Sequence, residues 1–113
     1  RTGGPIVSSA AVDVEEGLVF IGSSDGYLYA LDAESGRLVW RYATDGQVNS
    51  SPAVANGAVY FGSVDGAVYS LDLKTGNLRW RFQTDGKVTS SPCVVGGVVY
   101  IGSHDHCVYA LPA

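Results

Sequence analysis

Apolar and polar residues alternate along most of this chain, and Gly, Asp and Asn break the alternation at short intervals. That pattern predicts short strands joined by tight turns, since helical apolar residues would recur every three to four positions. In the middle of the chain it predicts four strands: about Ser50 to Ala55, Ala58 to Ser63, Ala67 to Asp72 and Asn77 to Gln83. Asn56-Gly57 reads as a two-residue hairpin turn with positive φ at both positions, and Asp65-Gly66 as another. Asp72-Leu73-Lys74-Thr75-Gly76 places a turn-initiating Asp first and a positive-φ Gly last. The unit predicted is a four-stranded antiparallel meander.

The third strands are apolar on both faces. Tyr27, Tyr29 and Leu31 share one face and Leu28 and Ala30 the other, and Tyr69 and Leu71 repeat this against Val68 and Ser70. A small antiparallel sheet that is apolar on both sides has to lie between two like it, as blades do around a propeller axis. The fourth strands differ: Leu38, Trp40 and Tyr42 are expected on one face, with Val39 and Arg41 on the other, and Arg79 and Arg81 repeat the charged face. These are expected to be outer rim strands.

The units recur with a period of 40 residues, which carries Trp40 to Trp80, Gly22 to Gly62 to Gly102, Asp25 to Asp65 to Asp105, and Tyr29 to Tyr69 to Tyr109. Ser50-Ser51-Pro52 recurs as Ser90-Ser91-Pro92, whereas the first copy has Ser8-Ser9-Ala10 and reaches Phe20 two residues late. The extra residues fall in the Asp13 to Gly17 turn, where an insertion costs least. The expectation is an all-β chain of about 2.75 β-propeller blades in one partial domain, 1–113, with blades at about 5–46, 47–86 and 87–113 and the last lacking its outer strand. Counting back along the repeat from Thr44 and Gly46 lands on Thr2 and Gly4, so Arg1 is expected at the tail of another fourth strand. Closed propellers have at least about four blades, so a lone copy would be an open arc with apolar faces and an unpaired edge.

Ala30-Leu31-Asp32-Ala33-Glu34-Ser35-Gly36-Arg37-Leu38-Val39-Trp40 resembles the tryptophan-docking motif of the quinoprotein-like, pyrroloquinoline quinone type repeats. Ser70-Leu71-Asp72-Leu73-Lys74-Thr75-Gly76-Asn77-Leu78-Arg79-Trp80 matches it again, with Ser in place of Ala. The third copy stops at Ala110-Leu111-Pro112-Ala113, with Pro112 where the Asp would stand. The resemblance implies that Ala30, Asp32, Gly36, Trp40, Ser70, Asp72, Gly76 and Trp80 form a structural docking motif in which each Trp packs against the neighbouring blade. The residues agree, because Trp40 and Trp80 are large apolar groups on the inward face of a rim strand. Similar repeats build quinone-dependent alcohol dehydrogenases, a lipoprotein of outer-membrane protein assembly, and extracytoplasmic sensor regions of bacterial serine/threonine kinases. The resemblance therefore suggests the bacterial periplasm or cell exterior, while the residues leave the compartment undetermined.

Composition narrows the function. The net charge is −4 with 16% charged residues, so the clustered basic surface that binds nucleic acid is absent. No run of about 18 apolar residues could span a membrane, and no signal peptide is recognisable. Without any Met, the sequence reads as a processed or excised piece.

Chemistry-bearing residues each have a plainer explanation. With Val95 opposite Val98 and Gly102 opposite Cys107, Cys93 and Cys107 stand too far apart for a disulfide, and both are expected to pack in the interior. His104-Asp105-His106 could bind zinc or copper, but it occupies the turn that reads Ser24-Asp25-Gly26 and Val64-Asp65-Gly66 elsewhere. Asp25, Asp65 and Asp105 read first as turn residues and second as a ring of carboxylates facing a ligand. Ser50-Ser51 and Ser90-Ser91 lack a His or acid at a catalytic spacing. The dehydrogenases of the resembling family use a calcium ion, a catalytic Asp and a disulfide between adjacent cysteines, and this chain has no adjacent cysteines. The reading is a non-catalytic binding, scaffold or sensor module with no cofactor. Its partners are missing blades in the same polypeptide or identical chains, with a peptide or small ligand bound in a top-face groove or the axial channel. The alternatives are a fragment of a quinone-dependent dehydrogenase and an assembly-lipoprotein type of scaffold.

Overall fold

A computed structural model describes residues 11–48, 51–55, 57–88, 91–104 and 107–113. Every regular element among them is a strand: β1 (Ala11–Asp13), β2 (Leu18–Gly22), β3 (Tyr27–Asp32), β4 (Leu38–Ala43), β5 (Ala53–Ala55), β6 (Ala58–Gly62), β7 (Ala67–Asp72), β8 (Leu78–Gln83), β9 (Cys93–Val95), β10 (Val98–Gly102) and β11 (Val108–Pro112). They form three sheets in the orders β1-β2-β3-β4, β5-β6-β7-β8 and β9-β10-β11. All pairings are antiparallel. These are consecutive propeller blades, the third with three strands.

The meander follows from its turns. Val95 pairs with Val98 across Gly96 and Gly97, both at positive φ. Ala55 pairs with Ala58, with Gly57 at φ 72°, and Asn56 lies outside the described residues. The loop at Asp65-Gly66 is longer than its dipeptide suggests. Ser63 N donates to Ala67 O and Gly66 N to Ser63 O, making a three-residue loop in which Asp65 Oδ1 accepts from Ala67 N and Ser63 Oγ from Asp65 N. The same closure, Ser103 N to Cys107 O, sets Gly102 opposite Val108 and not Cys107. The first strand begins at Ala53, three residues later than expected, because Pro52 has no N–H to donate. The second strand ends at Gly62 and the fourth starts at Leu78.

The fourth strands hold a second departure. Ala30 pairs with Trp40 but Leu31 with Leu38, and Ser70 with Trp80 but Leu71 with Leu78, so the register slips by one residue at Val39 and at Arg79. An extra residue on one strand turns the side chains beyond it to the other face. Leu38 therefore shares the face of Leu31 rather than that of Trp40, and both Leu38 and Leu78 are exposed.

The second blade is buried on both faces. Val59, Phe61, Ala67, Tyr69 and Leu71 pack against Leu18, Phe20, Leu28 and Ala30 of the first blade. Ala58 and Tyr60 meet Val99 of the third, and Val68 meets Ile101. A fully buried Val, Leu or Phe stabilises by about 1.5–3 kcal/mol, so these two junctions hold the blades together.

The cysteines correct an expectation. They form no disulfide, but both are exposed. Cys93 lies opposite Tyr100 on the face of the third blade turned away from the second, and Cys107 precedes β11, which no fourth strand covers.

Candidate functional site

The docking-motif residues converge at the turn between the third and fourth strands. Asp32 Oδ1 accepts from Glu34 N at 2.9 Å and Ser35 N at 3.0 Å. Asp72 Oδ1 accepts from Lys74 N at 2.9 Å and Thr75 N at 3.1 Å. Those backbone donors favour the charged carboxylates and hold both pKa values below 3.8. Gly36 N and Gly76 N close the turns onto Asp32 O and Asp72 O, at φ of 72° and 74°.

Among the described residues, Trp40 reaches such a turn on the next blade. Trp40 Nε1 donates to Leu73 O at 2.9 Å, and its ring lies so close to Gly76 that a Cβ there would be 2.6 Å from Trp40 Cδ2. Gly76 is thus required twice, for its positive φ and for the indole above it. Trp80 packs beside Tyr60 at 6.1 Å and against Leu111. Its Nε1 donates to no group among the described residues, and a cavity of about 280 Å³ lies against Trp80, Phe82, Leu111, Pro112 and Ala113. Nothing lies within 4 Å of a Cβ built on Gly36. Ala30 and Ser70 sit opposite the two tryptophans on their own sheets, and Ser70 Oγ is buried without a hydrogen-bond partner, as is Tyr60 OH on the adjacent strand.

The aspartates of the second turn are occupied structurally. Asp25 Oδ1 accepts from Tyr27 N and its Oδ2 from Tyr29 OH. Asp65 does the same for Ala67 N and Tyr69 OH, the latter at 2.6 Å. Arg81 Nε donates to Tyr69 OH at 3.4 Å. Burial, reinforced by the Asp65 carboxylate, pushes the Tyr69 phenol up to about 12. Among the described residues no three His, Cys, Asp or Glu side chains converge on a point that could hold a metal ion. Asp105 and His106 lie outside the described residues, as do Ser8, Ser9, Ser50, Ser90, Arg1, Thr2 and Gly4. Ser91 Oγ accepts from Ser51 N at 3.0 Å and ties the start of the third blade to the second.

A groove of about 610 Å³ opens between the first two blades, at the end bearing the β1–β2, β5–β6 and β7–β8 turns. Val12 to Glu16 form one wall, with Val54, Ala55 and Gly57, and Asp72 to Lys74 with Arg79, forming the other. Lys74 Nζ reaches Glu16 Oε2 at 3.5 Å across it, and Arg79 Nη2 donates to Gly57 O at 3.2 Å. Val14 is 87% exposed on its lip. The two extra residues of the Asp13 to Gly17 turn are more than an insertion placed where it costs least. They wall this groove, and their departure from the 40-residue period was the available signal.

The PQQ_2 family model, described as outer membrane protein assembly factor BamB, matches residues 2–113. The crystal structure of BamB from Moraxella catarrhalis is similar with a TM-score of 0.86 at 23% identity, covering 99% of this chain and 35% of that one; at that identity it carries the fold alone. Quinohemoprotein alcohol dehydrogenase ADHIIG from Pseudomonas putida HK5 is similar with a TM-score of 0.79 at 30% identity, covering 91% of this chain and 17% of that one. The beta-alanine-activating enzyme of Danio rerio is 40% identical over 47 residues, 42% of this chain and 4% of that protein. The chain spans no more than about a third of any of these relatives.

Proposed function

From the premise that this chain belongs to the PQQ_2 family, described as outer membrane protein assembly factor BamB, we propose that it is a non-catalytic scaffold of propeller blades that binds an extended peptide. The observation that carries the reading is the groove between the first two blades. Its apolar floor includes Val54 and Ala55, Val12 and Val14 stand exposed on its lip, and Asp13, Glu15 and Glu16 supply negative charge on one side. Apolar side chains with a few placed polar groups suit a peptide carrying apolar and basic residues. The docking-motif residues serve the scaffold: Trp40, Gly76 and Asp72 fix the angle between blades that forms the groove. No helix among the described residues is long and apolar enough to cross a membrane.

A peptide array of mixed apolar and basic sequences, probed with the chain and with Glu15→Lys/Glu16→Lys, tests this. Peptide capture by the unmodified chain, reduced at least tenfold by the double substitution, is the expected result. Capture that ignores the substitution removes the groove from the function. The likeness to a quinohemoprotein alcohol dehydrogenase at 30% identity favours a second reading, in which the blades are part of a quinone-dependent enzyme. Calorimetric titration with pyrroloquinoline quinone and calcium separates the two, because saturable binding supports only the second.

A further inference from the structure

Two departures from the 40-residue repeat meet at the groove. The β1–β2 turn is longer by two residues and carries Glu15 and Glu16, whereas the corresponding turns Asn56-Gly57 and Gly96-Gly97 carry no carboxylate. Lys74 stands where the first blade has Glu34, so the charge at this place is reversed from one blade to the next. The two departures are paired: Lys74 Nζ lies 3.5 Å from Glu16 Oε2, across the groove from the second blade to the first. A second ion pair at the groove, Arg79 to Asp72 at 3.7 Å, stays within the second blade.

Both members of the crossing pair are rooted in fixed backbone. Asp13 Oδ1 accepts from Glu16 N at 3.2 Å and Gly17 O from Ala33 N at 2.8 Å, which ties the turn bearing Glu16 on both sides. Asp72 Oδ1 accepts from Lys74 N at 2.9 Å, and the carbonyl of the preceding Leu73 takes the Trp40 indole N–H. The docked Trp40 thereby sets where the Lys74 side chain starts relative to the first blade. The charged ends stay in water, with the Lys74 side chain 66% and the Glu16 side chain 37% exposed. An exposed ion pair of this kind shifts an equilibrium by about fivefold at most. It adds little to a junction already held by Phe20, Leu28, Phe61 and Leu71, and it opens easily.

We propose that Lys74 is an internal competitor for the groove: its ammonium occupies the Glu16 carboxylate that a lysine or arginine side chain of the bound peptide takes, so a cationic peptide enters by displacing it. The inference rests on the reading of the groove as a peptide site. Binding to the unmodified chain exchanges one ion pair for another at Glu16, whereas binding to a chain without the Lys74 charge creates one. Lys74 therefore lowers the affinity for cationic peptides and leaves that for neutral peptides of the same shape unchanged.

Calorimetric titration with the peptide acetyl-Val-Lys-Val-Lys-Val amide tests this on four chains: the parent, Lys74→Gln, Glu16→Gln and the double variant. Lys74→Gln should bind about two- to fivefold more tightly than the parent. The gain should shrink as salt is raised from about 0.1 M to about 1 M, where the screening length falls from about 10 Å to about 3 Å. Adding Lys74→Gln to Glu16→Gln should bring no gain. That last comparison makes the same change in net charge, so it separates competition at Glu16 from general attraction of a cation. With norleucine in place of both peptide lysines, parent and Lys74→Gln should bind alike. Binding that ignores Lys74→Gln, or a gain that persists without Glu16 or with the norleucine peptide, overturns the competitor and leaves the peptide site standing. Absence of binding to all four chains overturns the peptide site and the competitor with it.

Discussion

The contrast between Gly36 and Gly76 measures what the docked indole demands of the turn beneath it. Both glycines close the same Asp-x-x-x-Gly turn at nearly the same φ, 72° and 74°. An added Cβ would meet nothing within 4 Å at Gly36, but at Gly76 it would lie 2.6, 2.8 and 3.0 Å from Trp40 Cδ2, Cε3 and Cγ. Gly36→Ala should therefore cost only the left-handed conformation of a residue with a Cβ, about 1–2 kcal/mol. Gly76→Ala adds overpacking against a ring that is held by its hydrogen bond to Leu73 O, typically about 1–3 kcal/mol more. The loss of unfolded-chain entropy on replacing Gly by Ala is common to both and cancels. Equilibrium urea unfolding of the two variants reads the difference directly. Trp40→Leu should remove most of the excess at Gly76 and none at Gly36, giving a coupling of about 1 kcal/mol or more in the double mutant. Equal costs for Gly36→Ala and Gly76→Ala, within about 0.5 kcal/mol, would falsify the docking geometry.

The remaining expectations concern the same side chains. Trp40→Phe should destabilise more than Trp80→Phe, by about 1 kcal/mol in urea unfolding of this chain, because among the described residues Trp40 donates to a carbonyl across a blade junction and Trp80 does not; the reverse order would show that Trp80 carries the larger docking contribution. The Tyr69 phenol is raised to about 12 from 10.0 in the unfolded chain, so the folded state holds the proton more tightly. Its contribution is fully present below about pH 10 and is lost as the pH rises towards about 12. The stability gap between the parent and Tyr69→Phe should accordingly narrow between these limits, and a gap independent of pH refutes the assignment.

Much of the fold is legible in the chain because tandem repetition makes each signal appear more than once. The Asp72-to-Gly76 turn, the meander order and the rim position of Trp40 and Trp80 all follow from residue type and spacing. What escapes depends on register or on neighbours. Asp65-Gly66 serves a two-residue turn or a three-residue loop equally well, and the choice falls to Ser63 and Asp65, whose side chains satisfy the loop's own N–H groups. The slip at Val39 that turns Leu38 away from the Trp40 face leaves no mark in the alternation. Cys93 and Cys107 are expected in the interior, yet both are exposed. The groove needed the Asp13 to Gly17 insertion to be read as a wall.

The two junctions, alike in backbone, are unequal in side chains, and the inequality has a direction. Where the first blade has Phe20 and Ala30, the second has Tyr60 and Ser70, each adding a hydroxyl that is buried with no partner. An unsatisfied buried polar group costs about 1–3 kcal/mol, and the first copy shows that the repeat accommodates apolar residues at both positions. Those two hydroxyls weaken the junction between the second and third blades relative to that between the first and second. Local opening follows local stability, so the junction between the second and third blades opens before that between the first and second. The groove is built on the better satisfied of the two junctions.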